Sequence, residues 1–80
     1  MPPTNIYSYI PHHYAYGDID FCDEEYIATF FDPETSTDFM EYFRGEEKYS
    51  WEDETGINIC LDFHGERPYM DTFLNAREME

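Results

Sequence analysis

The chain has 80 residues, and its 19 acidic side chains against 4 basic ones give a formal net charge of −15. Direct nucleic-acid binding is disfavoured because phosphate contacts need Lys and Arg, and anionic membrane surfaces repel such a chain for the same reason. There is no apolar run long enough for a transmembrane helix or a signal-peptide core. The length allows one core, so the sequence predicts a single cytoplasmic domain over residues 1–80, frayed at 1–5 and 78–80.

Aromatic residues make up 20% of the chain, as 8 Tyr, 7 Phe and 1 Trp. Acidic disordered chains are poor in aromatics, and each buried ring removes roughly 150–250 Å² from water. We therefore expect a folded domain, with a chain that folds only on binding as the alternative. Cys22 and Cys60 are expected to be reduced thiols, because nothing in the sequence indicates secretion.

Three extended segments are predicted in the first half. Residues Ile6–Ile10 are rich in strand formers, and Pro11 ends that strand or confines it to a sheet edge. Residues 18–23 alternate polar and apolar side chains, as in a half-buried strand or an extended loop. After an interruption at Glu24 and Glu25, a better strand spans residues 25–31.

A short helix follows the turn at residues 32–34. Ser36 or Thr37 is its expected N-cap, and Gly45 is expected to end it in the left-handed conformation. Its predicted apolar stripe consists of Phe39, Met40 and Phe43. A second helix is predicted with Pro68 in its first turn, and its apolar stripe consists of Tyr69, Met70, Phe73 and Leu74.

The region 47–64 predicts a β-hairpin. Ile57, Ile59, Leu61 and Phe63 alternate with Asn58, Cys60, Asp62 and His64, so the two sets point to opposite faces. A two-residue turn at Thr55 and Gly56 would place Glu54 and Glu52 beside isoleucines, which is costly. A three-residue loop over 54–56 instead pairs Trp51 with Ile59, Tyr49 with Leu61, and Lys48 with Asp62. The element order predicts an α+β fold, a small antiparallel sheet of about four strands packed on two short helices.

Motifs for catalysis or metal binding are weak. Cys60 and His64 have half of a zinc-site spacing, but on one strand they lie about 13 Å apart. The acidic residues 18–25 lack the glycine and terminal glutamate of an EF-hand loop. No serine sits in a nucleophile elbow, and so short a chain has little room for a deep pocket. We expect no enzymatic activity, no metal and no cofactor.

The charge exceeds what solubility requires, since a magnitude of roughly 2–8 serves a small domain. A compact domain of this length is about 30 Å across, and 30 Å of duplex DNA carries about 18 charges. Carboxylates two residues apart on a strand are about 6.6 Å apart, close to the phosphate spacing; Asp18 with Asp20 and Glu52 with Glu54 have this relation. The residues predicted to mimic phosphates are Asp18, Asp20, Asp23, Glu24, Glu25, Glu34, Asp38, Glu41, Glu46, Glu47, Glu52, Asp53 and Glu54.

In size, charge, aromatic content and single-domain layout, the chain resembles the small acidic DNA-mimic proteins of phages and mobile elements. Members of this class inhibit restriction enzymes, uracil-DNA glycosylase, CRISPR effectors and nucleoid proteins such as HU. The resemblance is one of type and rests on no motif. It implies a phage-encoded protein that occupies the basic DNA-binding surface of a host DNA-binding protein in the bacterial cytoplasm and blocks DNA binding.

Partner choice in such a protein needs more than charge, and exposed aromatics are common interface anchors. The expected anchors are Tyr7, Tyr9, Tyr14 and Tyr16, with core packing as their alternative role. Two other functions stay open: an acidic interaction module that does not compete with DNA, and a generic acidic domain from a high-salt source. A homodimer through an edge strand at Ile6–Ile10 is a further alternative.

Overall fold

The computed structural model describes residues 2–13 and 20–78, without the side chains of residues 12, 13, 20 and 21. The elements, in chain order, are β1 (Thr4–His13), β2 (Asp20–Phe30), α1 (Pro33–Tyr42), β3 (Glu46–Asp53), β4 (Gly56–Asp62) and α2 (Met70–Glu78). The predicted α+β fold of four strands and two short helices is confirmed. No described helix is long and apolar enough to cross a membrane.

The four strands form one sheet in the order β2-β1-β4-β3. The pairs β1–β2 and β3–β4 are antiparallel, whereas β1 and β4 are parallel, so the sheet is mixed rather than antiparallel throughout. The predicted edge at Ile6–Ile10 is absent over residues 6–8, where β1 lies between β2 and β4, whereas Tyr9 and Ile10 pair with β2 alone. β4 pairs only with residues 4–8, so Pro11 falls where β1 has one neighbour and its missing N–H is tolerated.

Charged residues do not interrupt the second strand. β2 runs without a break through Glu24 and Glu25, where the sequence predicted an interruption. As the outermost strand on its side, β2 has neighbours along one flank only. Carboxylates on such a strand stay in water and also discourage pairing with other chains.

Both helices pack on one face of the sheet around a phenylalanine core. Phe39 of α1 has no exposed surface, and its ring centre lies 5.2 Å from those of Phe30 and Phe73 and 4.9 Å from that of Phe43. Edge-to-face rings of this kind add to the free energy of apolar burial. The remaining buried apolar members of the core cluster are Ile6, Ala28, Leu61 and Phe63.

The N-cap of α1 is Asp32, so the predicted cap at Ser36 or Thr37 is wrong. Pro33 takes the first helical position, which suits its fixed φ and missing N–H. The backbone N–H of Glu34 donates to Asp32 Oδ1 at 3.2 Å, and the Thr35 hydroxyl donates to Oδ2 at 2.8 Å. The helix therefore begins one turn earlier than the sequence suggested.

At the other end of α1, Arg44 rather than Gly45 adopts the left-handed conformation, with φ 54°. Its N–H donates to the Glu41 carbonyl at 3.1 Å, and the Gly45 N–H donates to the Met40 carbonyl at 3.0 Å, which is the Schellman pattern. Glycine is needed at position 45 for a different reason: a Cβ there would lie 2.8 Å from the Phe63 ring.

The predicted register of the β3–β4 hairpin is wrong. Asp53 stands opposite Gly56, leaving a two-residue loop, and Trp51 pairs with Asn58 rather than Ile59. Asp53 Oδ1 fixes this turn by accepting from the Thr55 N–H at 2.8 Å. Glu52 faces the half-buried Ile57, but the Glu52 side chain itself is exposed on the outer strand, so its carboxylate stays in water.

A bulge between Glu47 and Tyr49 absorbs the shift, so Tyr49 pairs with Cys60 instead of Leu61, and Asp62 faces Glu46 instead of Lys48. In α2, Phe73 is buried as predicted, whereas Tyr69 and Leu74 are exposed. This helix packs through Phe73 onto Phe39, so only a narrow part of its predicted stripe is covered.

Candidate functional site

The face of the sheet opposite the helices carries a row of aromatic side chains, called here the aromatic stripe: Tyr26, Tyr7, Trp51 and Tyr49. On this open face the strand registers place Tyr7 between Tyr26 and Cys60, and Tyr49 on the far side of Cys60. The Tyr7 ring centre lies 5.8 Å from that of Tyr26 and 5.4 Å from that of Trp51, which lies 5.7 Å from Tyr49. Tyr26 is 55% exposed and Tyr49 36%.

Phenylalanine and tyrosine are partly separated between the two faces, although Tyr42 packs against Phe43 and Phe73 on the helical side. Phe30, Phe39 and Phe73 fill the space under the helices, while Tyr and Trp form the stripe. Of the predicted anchors, Tyr7 and Tyr9 are half-buried, and the Lys48 ammonium lies 5.8 Å from the Tyr9 ring centre. Tyr14 and Tyr16 lie outside the described residues. The sequence analysis did not include Trp51, Tyr26 or Tyr49 among the anchors, because the wrong hairpin register turned Trp51 and Tyr49 towards the core.

Tyr49 connects the two outer strands across the open face. Its hydroxyl donates to the Glu24 carboxylate and lies 3.8 Å from Cys22 Sγ. Partial burial and the Glu24 hydrogen bond raise the pKa of Tyr49 above its usual range, so it remains a donor. Both cysteines are free thiols as predicted, and burial raises the pKa of Cys60, which keeps that thiol protonated and a poor nucleophile.

One end of the open face is held by a buried polar network that the sequence analysis missed. Asn58 is 1% exposed and Asn5 7%. Asn5 Nδ2 donates to Asn58 Oδ1 at 3.0 Å, and the Thr29 hydroxyl donates to Asn5 Oδ1 at 2.6 Å. Asn58 Nδ2 also donates to the Gly56 carbonyl at 3.3 Å. The network joins β2, β1 and β4 beneath the hairpin turn.

Replacing Asn58 by Leu is expected to lower the free energy of unfolding by about 1–3 kcal/mol. The change leaves the Asn5 amide without one buried acceptor, and an unsatisfied buried donor costs about that much. Urea denaturation measures the effect. Asn75→Leu on the exposed side of α2 is the matched control and is expected to change stability by less than about 0.5 kcal/mol. Equal effects of the two substitutions would show that the network does not stabilise the fold.

Half of the described acidic side chains lie on the two outer strands and the β3–β4 turn, and the other half lie elsewhere in the fold. Eleven of the thirteen predicted phosphate mimics have described side chains, and eight of these lie on β2 or on β3 and its turn. We call these sets the acidic edges. The β2 edge consists of Asp23, Glu24 and Glu25, and the β3 edge consists of Glu46, Glu47, Glu52, Asp53 and Glu54. The other three, Glu34, Asp38 and Glu41, lie on α1, and Asp18 and the Asp20 side chain lie outside the description.

Several of these carboxylates already form ion pairs or hydrogen bonds with other residues of the fold. Glu25 forms an ion pair with Arg67, and Asp38 pairs with Arg77 Nη1 at 3.1 Å. Hydrogen bonds from the side chain and backbone of Thr55 lower the pKa of Asp53, so that carboxylate stays charged while it holds the turn. The sequence contained no signal for the two ion pairs, because their partners are far apart along the chain.

The β3 edge retains four exposed glutamates, Glu46, Glu47, Glu52 and Glu54. Of the chain's four basic residues, Lys48 alone lies on this strand, over the Tyr9 ring. The predicted 6.6 Å relation of Glu52 to Glu54 does not apply, because β3 ends at Asp53 and Glu54 belongs to the turn. Exposed glutamates on an outer strand also discourage aggregation, which is their simplest structural role.

Along the longest dimension of the molecule, which is 48 Å, the 15 net charges amount to about one per 3.2 Å. This is close to the roughly 3.4 Å per phosphate of one DNA strand and about half the density of the duplex. The sequence-based comparison assumed a diameter of about 30 Å and therefore a higher density.

A second cluster lies at the end of β4, where ligand atoms of Glu46, Asp62 and His64 approach within 4.8 Å of one another. Carboxylate and imidazole groups are suitable ligands for divalent metals. The cluster also has an internal explanation, since Asp62 Oδ1 accepts from the His64 N–H at 2.8 Å and Oδ2 lies 3.9 Å from His64 Nδ1. Cys60, which has half of a zinc-site spacing with His64 in the sequence, is not a member of this cluster.

Comparison with known protein families, curated proteins and solved structures finds no match for this chain. The functional argument therefore rests on the geometry and charge of the open face and the acidic edges.

Proposed function

We propose that the chain is an acidic DNA-mimic protein that occupies the basic DNA-binding surface of a bacterial DNA-binding protein and blocks access of DNA. It acts by occupancy, without chemistry or a cofactor of its own. By its resemblance to the phage and mobile-element inhibitors, it is phage-encoded and acts in the host cytoplasm on a nucleoid protein, restriction enzyme, CRISPR effector or repair enzyme.

The observation that carries this proposal is the pair of acidic edges on either side of the open face. β2 and β3 are the outermost of four strands, and with about 4.8 Å between neighbours they are roughly 14 Å apart. The major groove of DNA, between its two phosphate rows, is about 12 Å wide. The two outer strands thus carry carboxylates at about the separation of two phosphate rows, with Glu24 and Glu46 on the open face and Glu25, Glu47 and Glu52 turned to the helical side.

The mechanism is electrostatic. Lys and Arg of the target pair with the edge carboxylates, and the net charge of −15 steers the two proteins together before contact. The same charges raise the cost of folding, because they repel one another within a small domain. A net charge this large is therefore explained better by a basic partner than by stability.

The proposal is tested by competition. The full chain is immobilised, basic proteins are captured from a bacterial lysate, and each captured protein is purified and titrated with duplex DNA and with this chain. We expect the chain to displace DNA, and its affinity to fall about tenfold or more between 50 and 300 mM salt. A ternary complex with DNA would instead indicate a non-competing acidic module, and an affinity independent of salt would contradict mimicry.

A further inference from the structure

Two of the chain's four basic residues, both outside the open face, contact one aromatic ring and one carboxylate each. Arg67 lies with its guanidinium carbon 5.6 Å from the Tyr69 ring centre and forms an ion pair with Glu25. Arg77 lies 5.4 Å from the Phe73 ring centre and pairs with Asp38. Both arginines thus combine one aromatic ring with one carboxylate, a geometry in which the planar guanidinium is well satisfied.

The aromatic stripe offers the same combination on a larger scale. The rings of the stripe are partly exposed, and each of its two β3 residues, Tyr49 and Trp51, has a carboxylate nearby. Glu24 accepts from the Tyr49 hydroxyl, and Asp53 follows Trp51 by two residues on β3, which places both on the same face of the strand. Neither helix covers this face, since the core cluster lies on the other side of the sheet.

We propose that the open face, through the aromatic stripe and the carboxylates of Glu24 and Asp53, is the docking surface for arginine side chains of a basic partner protein. The proposal rests on the proposed function for the basic character of the partner, and it adds which residue type the surface selects.

Charge complementarity decides the occupant. A second copy of the chain brings another 15 net negative charges and is repelled, as is nucleic acid. Between the two cationic residues, arginine is favoured over lysine because guanidinium is flat, weakly hydrated and able to stack on a ring while its edges bond to carboxylates. Lysine is a strongly hydrated point charge and gains less from an aromatic surface.

Trp51 provides the assay, because it is the only tryptophan in the chain. The full protein is titrated at 50 mM salt with two peptides of equal length and charge, five repeats of Gly-Arg and five repeats of Gly-Lys. We expect the arginine peptide to bind about three- to tenfold more tightly and to change the emission of Trp51. Equal affinities, or arginine-peptide binding without a change in Trp51 emission, would overturn the proposal. This measurement uses the wild-type chain and does not depend on a variant folding.

A pair of matched variants locates the site. Tyr26→Leu removes the most exposed ring of the stripe, and Tyr42→Leu removes a ring of similar exposure, 47%, on the helical side. Circular dichroism first establishes that each variant is folded. We expect Tyr26→Leu to weaken binding of the arginine peptide about three- to tenfold and to change binding of the lysine peptide less than twofold. We expect Tyr42→Leu to change binding of the arginine peptide less than twofold. An equal loss for both peptides, or for both variants, would show that binding follows net charge alone.

The peptide titrations and the DNA competition test can give independent answers. If captured proteins bind DNA and this chain together, mimicry is wrong, yet a preference for arginine that depends on Tyr26 still establishes the docking surface. If DNA is displaced but arginine and lysine peptides bind equally, mimicry stands and the docking proposal is wrong.

Discussion

Replacing Glu47, Glu52 and Glu54 together by Gln is expected to weaken the binding of a captured basic partner about tenfold at 50 mM salt. All three are exposed and lie on the β3 edge. Each exposed ion pair contributes about 0.2–1 kcal/mol, so the loss of three amounts to roughly 1.4 kcal/mol, which is a tenfold change in the equilibrium constant. Isothermal titration calorimetry at low salt measures it, and at 300 mM salt the difference should shrink.

The matched control changes the same net charge on the helical side. Glu34, Glu41 and Glu78 are also exposed, and replacing them by Gln takes the net charge to the same value. Long-range steering falls equally in both triple variants, so any larger effect of the β3 variant reports direct contact. We expect the control to change affinity by less than about threefold. Equal losses in the two variants would mean that the partner responds to total charge rather than to the acidic edge.

Phe39→Ala is expected to have the largest effect on stability of any single change. The side chain is fully buried and packs against Phe30, Phe43, Phe63 and Phe73. Truncating a buried Phe costs about 3–5 kcal/mol, through lost apolar contact and the cavity left behind. A domain of this size has a total stability of about 4–12 kcal/mol, so the variant is expected to be largely unfolded or close to it.

Two comparisons accompany this prediction. Phe31→Ala removes the same side chain at a site that is 79% exposed and should change the free energy of unfolding by less than about 0.5 kcal/mol. Phe39→Leu keeps an apolar side chain in the core and should cost less than Phe39→Ala, which keeps the series measurable by urea denaturation if the alanine variant does not fold. Similar losses for Phe39→Ala and Phe31→Ala would contradict the position assigned to the phenylalanine core.

The sequence predicted the fold class well because the spacing of apolar residues within each helix and strand is a local signal. Phe39 and Phe43 recur at helical spacing, and Leu61 and Phe63 alternate as a strand requires, and these positions form the core. The parallel pairing of β1 with β4 has no such local signal, because alternation shows that a segment is a strand but not which strand lies beside it. The prediction of an antiparallel sheet throughout followed the adjacent hairpins alone.

The candidate site was predictable in its charge but not in its geometry. The register of the β3–β4 hairpin depends on the Asp53 side chain that closes the turn and on a bulge before Tyr49, and both faces of β4 carry buried residues, so its polarity pattern does not select one register. Once the register shifted, Trp51 and Tyr49 moved to the open face. Likewise, Glu25 forms an ion pair with Arg67, and Asp38 forms one with Arg77. The fold brings these partners together, and their positions in the sequence do not predict the pairing.

The parallel pairing of β1 with β4 also governs when the sheet can close. Residues 4–8 find their central partner only at residues 57–61, so a ribosome must release most of the chain before the sheet closes. Such long-range pairing slows folding relative to a helical domain of equal length. Tyr7 and Trp51, which lie 44 residues apart along the chain, become neighbours only when this pairing has formed. The aromatic stripe is therefore complete only in a chain that contains both β1 and the β3–β4 hairpin.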